Sequence, residues 1–228
     1  MLVRIPQLLS PQEVAHCRAR LEASDWVDGR VTAGEQSAKA KFNLQVPEGH
    51  PVARELGETI LQALGRNQDF VSAALPLRVF PPLFNRYDVG MGFGAHVDNA
   101  IRHVSQAGGL RIRTDLSATL FLTDPADYDG GELVVEDTYG EQRIKFTAGD
   151  LVLYPASSLH RVEPITRGSR WASFFWIQSM VKDDGERALL HGLDSAIRET
   201  RAQLSDESHA VQRLTASYHN LLRRWVEV

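Results

Sequence analysis

The chain has 228 residues, 43% of them hydrophobic, which is enough for one substantial core; a domain of this size buries roughly 70–75% of its unfolded surface. Twenty-five Lys and Arg against 29 Asp and Glu leave a net charge of −4, so the basic field that nucleic acids and anionic membranes require is missing. The single Cys17 excludes an internal disulfide, the proline-broken start is too short for a secretion signal, and no apolar run reaches the length of a membrane span. A reducing cytoplasm is the expected location, with Cys17 as a small buried hydrophobe.

Ser10-Pro11-Gln12-Glu13 reads as a helix start: a capping serine, proline at the first helical position and glutamate three residues after the cap. Val14, Cys17 and Leu21 then repeat at helical spacing and predict a helix of about fourteen residues with one face on the core. Residues 28–45 mix glycine, serine and lysine as a loop or hairpin does. Lys39 and Lys41 there are either ordinary surface lysines or cations facing a cavity. A second helix is predicted from His50-Pro51 through Val52, Leu56, Ile60 and Leu64, with Gly65 as its stop, and a short apolar segment at 70–75 follows.

From 77 to 177 the periodicity shortens to that of strands. Pro81-Pro82 cannot sit in a central ladder and predicts a bend, and Gly90, Gly92 and Gly94 let the backbone turn or approach a ligand closely. Residues 99–111, with Arg102, His103 and Arg111, predict a lid directly after the HxD pair at 96–98. Strand-like runs at 116–122, 133–135, 144–146 and 151–154, punctuated by turn residues, suggest two opposed antiparallel sheets in a jelly roll. After 177 the character changes again. Asp183-Asp184-Gly185-Glu186 and Ser205-Asp206-Glu207 read as caps of two helices carrying Leu189, Leu190, Leu193, Ile197 and Leu204, then Val211, Leu214, Tyr218, Leu221, Leu222 and Trp225. That helical hairpin must bury its stripe on its own barrel or on a second copy in a homo-oligomer.

The chemistry concentrates at His96 and Asp98, whose single intervening residue puts both side chains on one face of an extended strand. His160, just beyond the run 151–154, can reach the same ion from a neighbouring strand. Two imidazoles and one carboxylate on one face of an octahedral ion leave the opposite positions open, which suits non-haem Fe(II). Ten residues on, Arg170 opens the apolar strand 171–177, where a guanidinium can grip a carboxylate bidentately, as holding 2-oxoglutarate requires. Two other readings stay open: a metal-binding barrel without turnover, and a zinc hydrolase using a base such as Glu132 or Glu163.

These residues, with the stretches 36–41, 80–84, 113–117, 128–133, 149–155 and 218–225, resemble the Fe(II)- and 2-oxoglutarate-dependent oxygenases of the prolyl 4-hydroxylase type. Within them the chain is similar to the bacterial PKHD-type hydroxylases associated with iron uptake. The resemblance implies a mainly β protein with flanking helices: an N-terminal support region (1–76), a double-stranded β-helix, cupin-like core (77–179) and a C-terminal helical extension (180–228). By the same resemblance His96, Asp98 and His160 would bind one Fe(II) per subunit, and Arg170 would bind 2-oxoglutarate with a hydroxyl contact from Tyr87. Molecular oxygen would be the second co-substrate, and L-ascorbate (vitamin C) the reductant. The implied substrate is a siderophore-related small molecule, with peptidyl proline as the alternative.

Overall fold

The computed structural model of the protein describes residues 1–32, 39–104 and 108–227. Helix α1 (Pro11–Glu22) begins with the expected capping box: Glu13 N–H donates to Ser10 Oγ, and Ser10 N–H donates to the Glu13 carboxylate at 2.7 Å. Val14, Cys17 and Leu21 form its buried face. Helix α2 (Pro51–Arg66) buries Val52, Leu56, Ile60 and Leu64. Gly65 does not stop it; the stop is Asn67, whose side chain accepts from Phe70 N–H at 2.8 Å and starts a third helix, α3 (Gln68–Ala74), in the apolar segment that follows.

The larger sheet runs in the order β1 (Val3–Ile5), β14 (Leu151–Pro155), β10 (Leu116–Phe121), β17 (Arg170–Ser179), β6 (Leu83–Tyr87), β4 (Leu44–Gln45) and β2 (Val27–Asp28), with β5 (Pro76–Val79) also on β17. The smaller one runs β13 (Gly140–Ile144), β12 (Leu133–Asp137), β15 (His160–Val162), β7 (Gly92–His96) and β3 (Lys41–Phe42). Two further antiparallel pairs, β8 (Ile101–Val104) with β9 (Leu110–Arg113) and β11 (Asp129–Gly130) with β16 (Ile165–Arg167), complete the described strands. The Pro81-Pro82 pair forms the bend between β5 and β6.

The two sheets face each other: Tyr87, Phe121, Val152 and Tyr154 of the larger pack against Leu133, Val135, Ile144 and Val162 of the smaller. This is the jelly roll the turn spacing predicts. The other face of the larger sheet is covered by α1, α2 and α3 through Phe84, Leu116, Ala118, Leu120, Phe175 and Ile177. Because both faces of β10 are covered, all six of its residues are buried, and period-2 alternation turns Ser117 and Thr119 toward the cleft between the sheets.

The C-terminal hairpin comprises α4 (Asp184–Gln203) and α5 (His209–Trp225). Asp183 caps α4 as expected, whereas α5 starts after Ser208 and not at 205–207. Leu190 joins Leu75 and Val181 in a buried cluster, with Tyr218, Leu221, Leu222 and Trp225 packed against it. Ser72 Oγ donates to Asp194 at 2.7 Å and Arg198 pairs with Asp69 at 2.6 Å, so the hairpin is anchored on α3 of its own chain. Leu189 and Leu204, counted into the stripe by spacing, are exposed.

Candidate active site

The antiparallel pairing of β7 with β15 sets His96 and His160 opposite each other, and Asp98 follows β7 by two residues. One ligand atom from each lies within 4.8 Å of the others. Both histidines use Nδ1 locally: His96 Nδ1–H donates to Gly94 O at 2.8 Å and His160 Nδ1–H to Ser158 O at 3.0 Å. A carbonyl only accepts, so the proton sits on Nδ1 and Nε2 of both rings is left with a lone pair that could meet a metal. Asp98 Oδ2 is oriented by the Ser117 hydroxyl, which donates to it at 2.6 Å. The Phe93 ring stacks on His96 at 3.6 Å between centroids. Burial, then the neighbouring His160, pushes the His96 imidazole down to about 4, which favours the neutral form a metal requires.

The triad opens into a cleft of about 770 Å³, part of it open to solvent, whose walls include Tyr87, Asn85, Thr119, Tyr154, Phe174 and Arg170. Arg170 is the register partner of Tyr87 and is only 2% exposed. Its guanidinium lies 5.5 Å from the Tyr87 ring and 5.3 Å from Phe121, and its Nε has no hydrogen-bond partner among the described residues. No described carboxylate pairs with it. A buried guanidinium in apolar and aromatic surroundings is costly unless an anion meets it, so this end of the cleft suits a carboxylate.

The 2OG-Fe(II) oxygenase superfamily matches residues 82–178, and the PKHD-type hydroxylase C-terminal domain matches 184–227. A PKHD-type hydroxylase from Cupriavidus metallidurans is 64% identical over all of both chains, and the PKHD-type hydroxylase PiuC of Pseudomonas aeruginosa is 57% identical over all of both. The chain belongs to the PKHD-type hydroxylases. It is therefore an oxidoreductase, a 2-oxoglutarate-dependent Fe(II) dioxygenase. Among solved structures, a prolyl-4-hydroxylase from Pseudomonas putida is 21% identical, covering 78% of this chain and 92% of that one at TM-score 0.52. HygX from Streptomyces hygroscopicus with nickel and 2-oxoglutarate bound is 18% identical, covering 78% and 82% at TM-score 0.53. At such identities the likeness is one of fold, and the fold is the jelly roll.

The basic residues predicted near the site of this PKHD-type hydroxylase divide. Lys41 lines the cleft with Nζ 5.5 Å from the Phe93 ring centroid and 5.6 Å from that of Phe174, donating to Gln45 Oε1 at 3.3 Å. Lys39 is exposed and off the cleft. Residues 36–38 of the stretch shared with the family lie outside the described residues. The predicted lid is the β8–β9 hairpin, with 105–107 outside the described residues. Arg102 points from it into the cleft, 4.4 Å over Trp176, and pairs with Glu48 at 3.4 Å. His103 and Arg111 are cross-strand partners on the opposite, exposed face. Glu132 and Glu163 do not line the cleft, and Glu163 is engaged by Arg143 and Arg161, so neither stands as the base a hydrolase would need.

Sequence reasoning missed Ser117 and Asn85, and it missed why Lys41 turns inward. Lys41, Asn43 and Gln45 are all buried while Phe42 between them is 58% exposed, a polar-inward alternation. The signal was legible as period 2, but a rule that turns apolar residues inward reads it with the wrong face in.

Proposed function

We propose that the hydroxylase oxidises a C–H bond of an anionic small molecule, of the siderophore class, in cytoplasmic iron acquisition. His96, Asp98 and His160 hold one Fe(II), Arg170 binds the distal carboxylate of 2-oxoglutarate, and Tyr87 lies beside it. The observation that carries this is a His–Asp–His set, its two imidazoles oriented by backbone carbonyls, in one cleft with a buried arginine that lacks a carboxylate partner among the described residues. The donor set fits: two Nε2 atoms and one carboxylate are the ligands of non-haem Fe(II) sites.

When bound, Fe(II) and 2-oxoglutarate supply the chemistry by which dioxygen converts the co-substrate to succinate and carbon dioxide and oxidises the substrate C–H bond. L-Ascorbate serves to keep the metal ferrous. The chain's own residues orient and shield. Arg170, its guanidinium 5.5 Å from the Tyr87 ring and 5.3 Å from that of Phe121, sets the direction in which the co-substrate lies. Phe93, Phe174 and Trp176 give the cleft apolar wall beside its polar groups. Lys41 and Arg102, the two cations of the substrate side, favour an anion by raising its local concentration and pairing with its charge. A prolyl peptide would gain little from them.

The test has two arms. Anaerobic addition of Fe(II) and then 2-oxoglutarate to the apo-protein should produce the metal-to-ligand charge-transfer band of the chelate. Succinate release should then couple to siderophores and not to proline-containing peptides, and should weaken in Lys41→Glu and Arg102→Glu. Turnover with peptides alone, unaffected by those reversals, would reject the substrate assignment.

A further inference from the structure

Two of the three candidate ligands ride on one sheet, and the third leaves it. His96 closes β7 and His160 opens β15 in the smaller sheet, whereas Asp98 lies past the end of β7, where residues 97–100 belong to no helix or strand. Its carboxylate is oriented from the larger sheet, by Ser117 of β10, which ladders on both sides hold opposite Tyr154 of β14 and Trp176 of β17. Hence the strand pairing that sets the histidines opposite each other does not reach the aspartate. Its neighbours Asn99 and Ala100 are exposed.

What holds this segment comes from the far end of the β8–β9 hairpin. Thr114, just past β9, donates its hydroxyl to Asn99 O at 2.7 Å and its N–H to Ala100 O at 3.0 Å, closing the neck from which both legs of the hairpin rise. The returning leg is built into the larger sheet: Arg113 grips the Asp115 carboxylate at 2.7 and 3.0 Å, Asp115 Oδ2 accepts from Ser179 N–H at 2.9 Å, and Asp115 N–H donates to Ile177 O at 3.0 Å. Thr114 is therefore a buried hydroxyl on an anchored leg, tied to the backbone one residue beyond Asp98 on a leg without a ladder of its own. Fixing that backbone restricts the directions in which the Asp98 carboxylate can point.

We propose that Thr114 is a positioning residue for the metal ligand Asp98: by closing the neck of the hairpin on Asn99 it keeps the carboxylate beside the two imidazoles, and it couples the hairpin to the metal site. The proposal rests on the reading of Asp98 as an iron ligand given above. The coupling is reciprocal, because a closed neck that raises the affinity for the metal is itself favoured by bound metal to the same degree.

The experiment compares Thr114→Val, Thr114→Ser and Asp98→Ala with the unmodified full chain under anaerobic conditions. It measures Fe(II) affinity, the melting temperature of the apo-protein, the dissociation constant of 2-oxoglutarate at saturating Fe(II), and backbone hydrogen exchange of residues 110–114 with and without Fe(II). Thr114→Val should lower Fe(II) affinity by about 10-fold, as expected when a group that orients a ligand is lost, and Thr114→Ser, which keeps the hydroxyl, should restore it. Once iron is bound, 2-oxoglutarate should bind both variants as it binds the unmodified chain. Fe(II) should slow exchange at 110–114 in the unmodified chain and slow it less in Thr114→Val. A lowered melting temperature of Thr114→Val with unchanged Fe(II) affinity overturns the proposal, since Thr114 would then support the fold alone. Equal weakening in Thr114→Ser overturns it too, because the effect would not belong to the hydroxyl. Should Thr114→Val fail to fold, the unmodified chain decides: exchange at 110–114 that Fe(II) leaves unchanged overturns the coupling. Unchanged Fe(II) affinity in Asp98→Ala overturns instead the ligand reading on which the proposal stands.

Discussion

His96 and His160 are register partners on adjacent antiparallel strands, with ring centroids 4.2 Å apart. Each ring is turned by a hydrogen bond to the carbonyl two residues before it, Gly94 within β7 and Ser158 just before β15, so the local backbone itself aims both Nε2 atoms at one point. His160→Ala should therefore lower Fe(II) affinity by at least about 100-fold in an anaerobic titration, and Ser117→Ala, which frees the Asp98 carboxylate, by about 10-fold. Full iron occupancy in His160→Ala would remove that residue from the ligand set.

Arg170 should separate co-substrate from metal. Arg170→Lys keeps a charge but loses the planar fork, and Arg170→Leu loses both. The 2-oxoglutarate requirement should rise in the order wild type, Lys, Leu, by about 10- to 100-fold for leucine, with Fe(II) affinity retained throughout. A leucine variant with the wild-type dependence on 2-oxoglutarate would contradict this, as would one that loses its iron.

Lys41 should carry the pH dependence of binding the anionic substrate proposed above. Burial first, then the Arg102 charge, lowers its ammonium from 10.5 to about 8. Below about 8 the folded chain holds a cation there, so affinity for an anionic substrate should be full; it should fall as pH rises through that value. The unfolded chain keeps this lysine protonated up to 10.5, so between about 8 and 10.5 it binds more protons than the folded one. The Lys41 contribution to stability therefore increases with pH across that window. Lys41→Arg, which stays charged, should abolish both trends in steady-state profiles and thermal melts recorded from pH 7 to 10.5. An unaltered alkaline limb of the substrate KM in Lys41→Arg would assign that limb to another group.

The C-terminal hairpin offers a paired stability test. Leu190 is fully buried against Leu75 and Val181, whereas its neighbour Leu189 is 64% exposed. Leu190→Ala should cost about 2–5 kcal/mol in denaturant unfolding, and Leu189→Ala should stay within about 0.5 kcal/mol. Truncation after Ser179 should uncover the same cluster and aggregate the chain. Equal, small effects of the two leucine substitutions would mean that the hairpin contributes little to the core.

Much of the fold was readable because its signals are local. The Ser10 capping box, the Asp183 cap, the proline bend at 81–82 and the strand periods each depend on neighbours within a few residues. Helix ends were less legible: Gly65 keeps helical geometry where Asn67, with a side chain able to cap the next helix, makes the break.

By itself the sequence determined the chemical inventory: an HxD pair, a later histidine and an arginine ten residues on, in a strand-rich block between helical ends. Tertiary structure decided which of the basic residues belong to it. Lys39 and Lys41 are two residues apart and look alike in composition, yet only Lys41 lies in a strand pair, opposite Phe93, that turns its side chain into the cleft. Arg102 and Arg111 sit on one hairpin but on opposite faces, because cross-strand register pairs Arg111 with His103 and leaves Arg102 beside Ile112 facing inward. Alternation fixes which residues share a face, but the packing of one sheet on another fixes which face is inside.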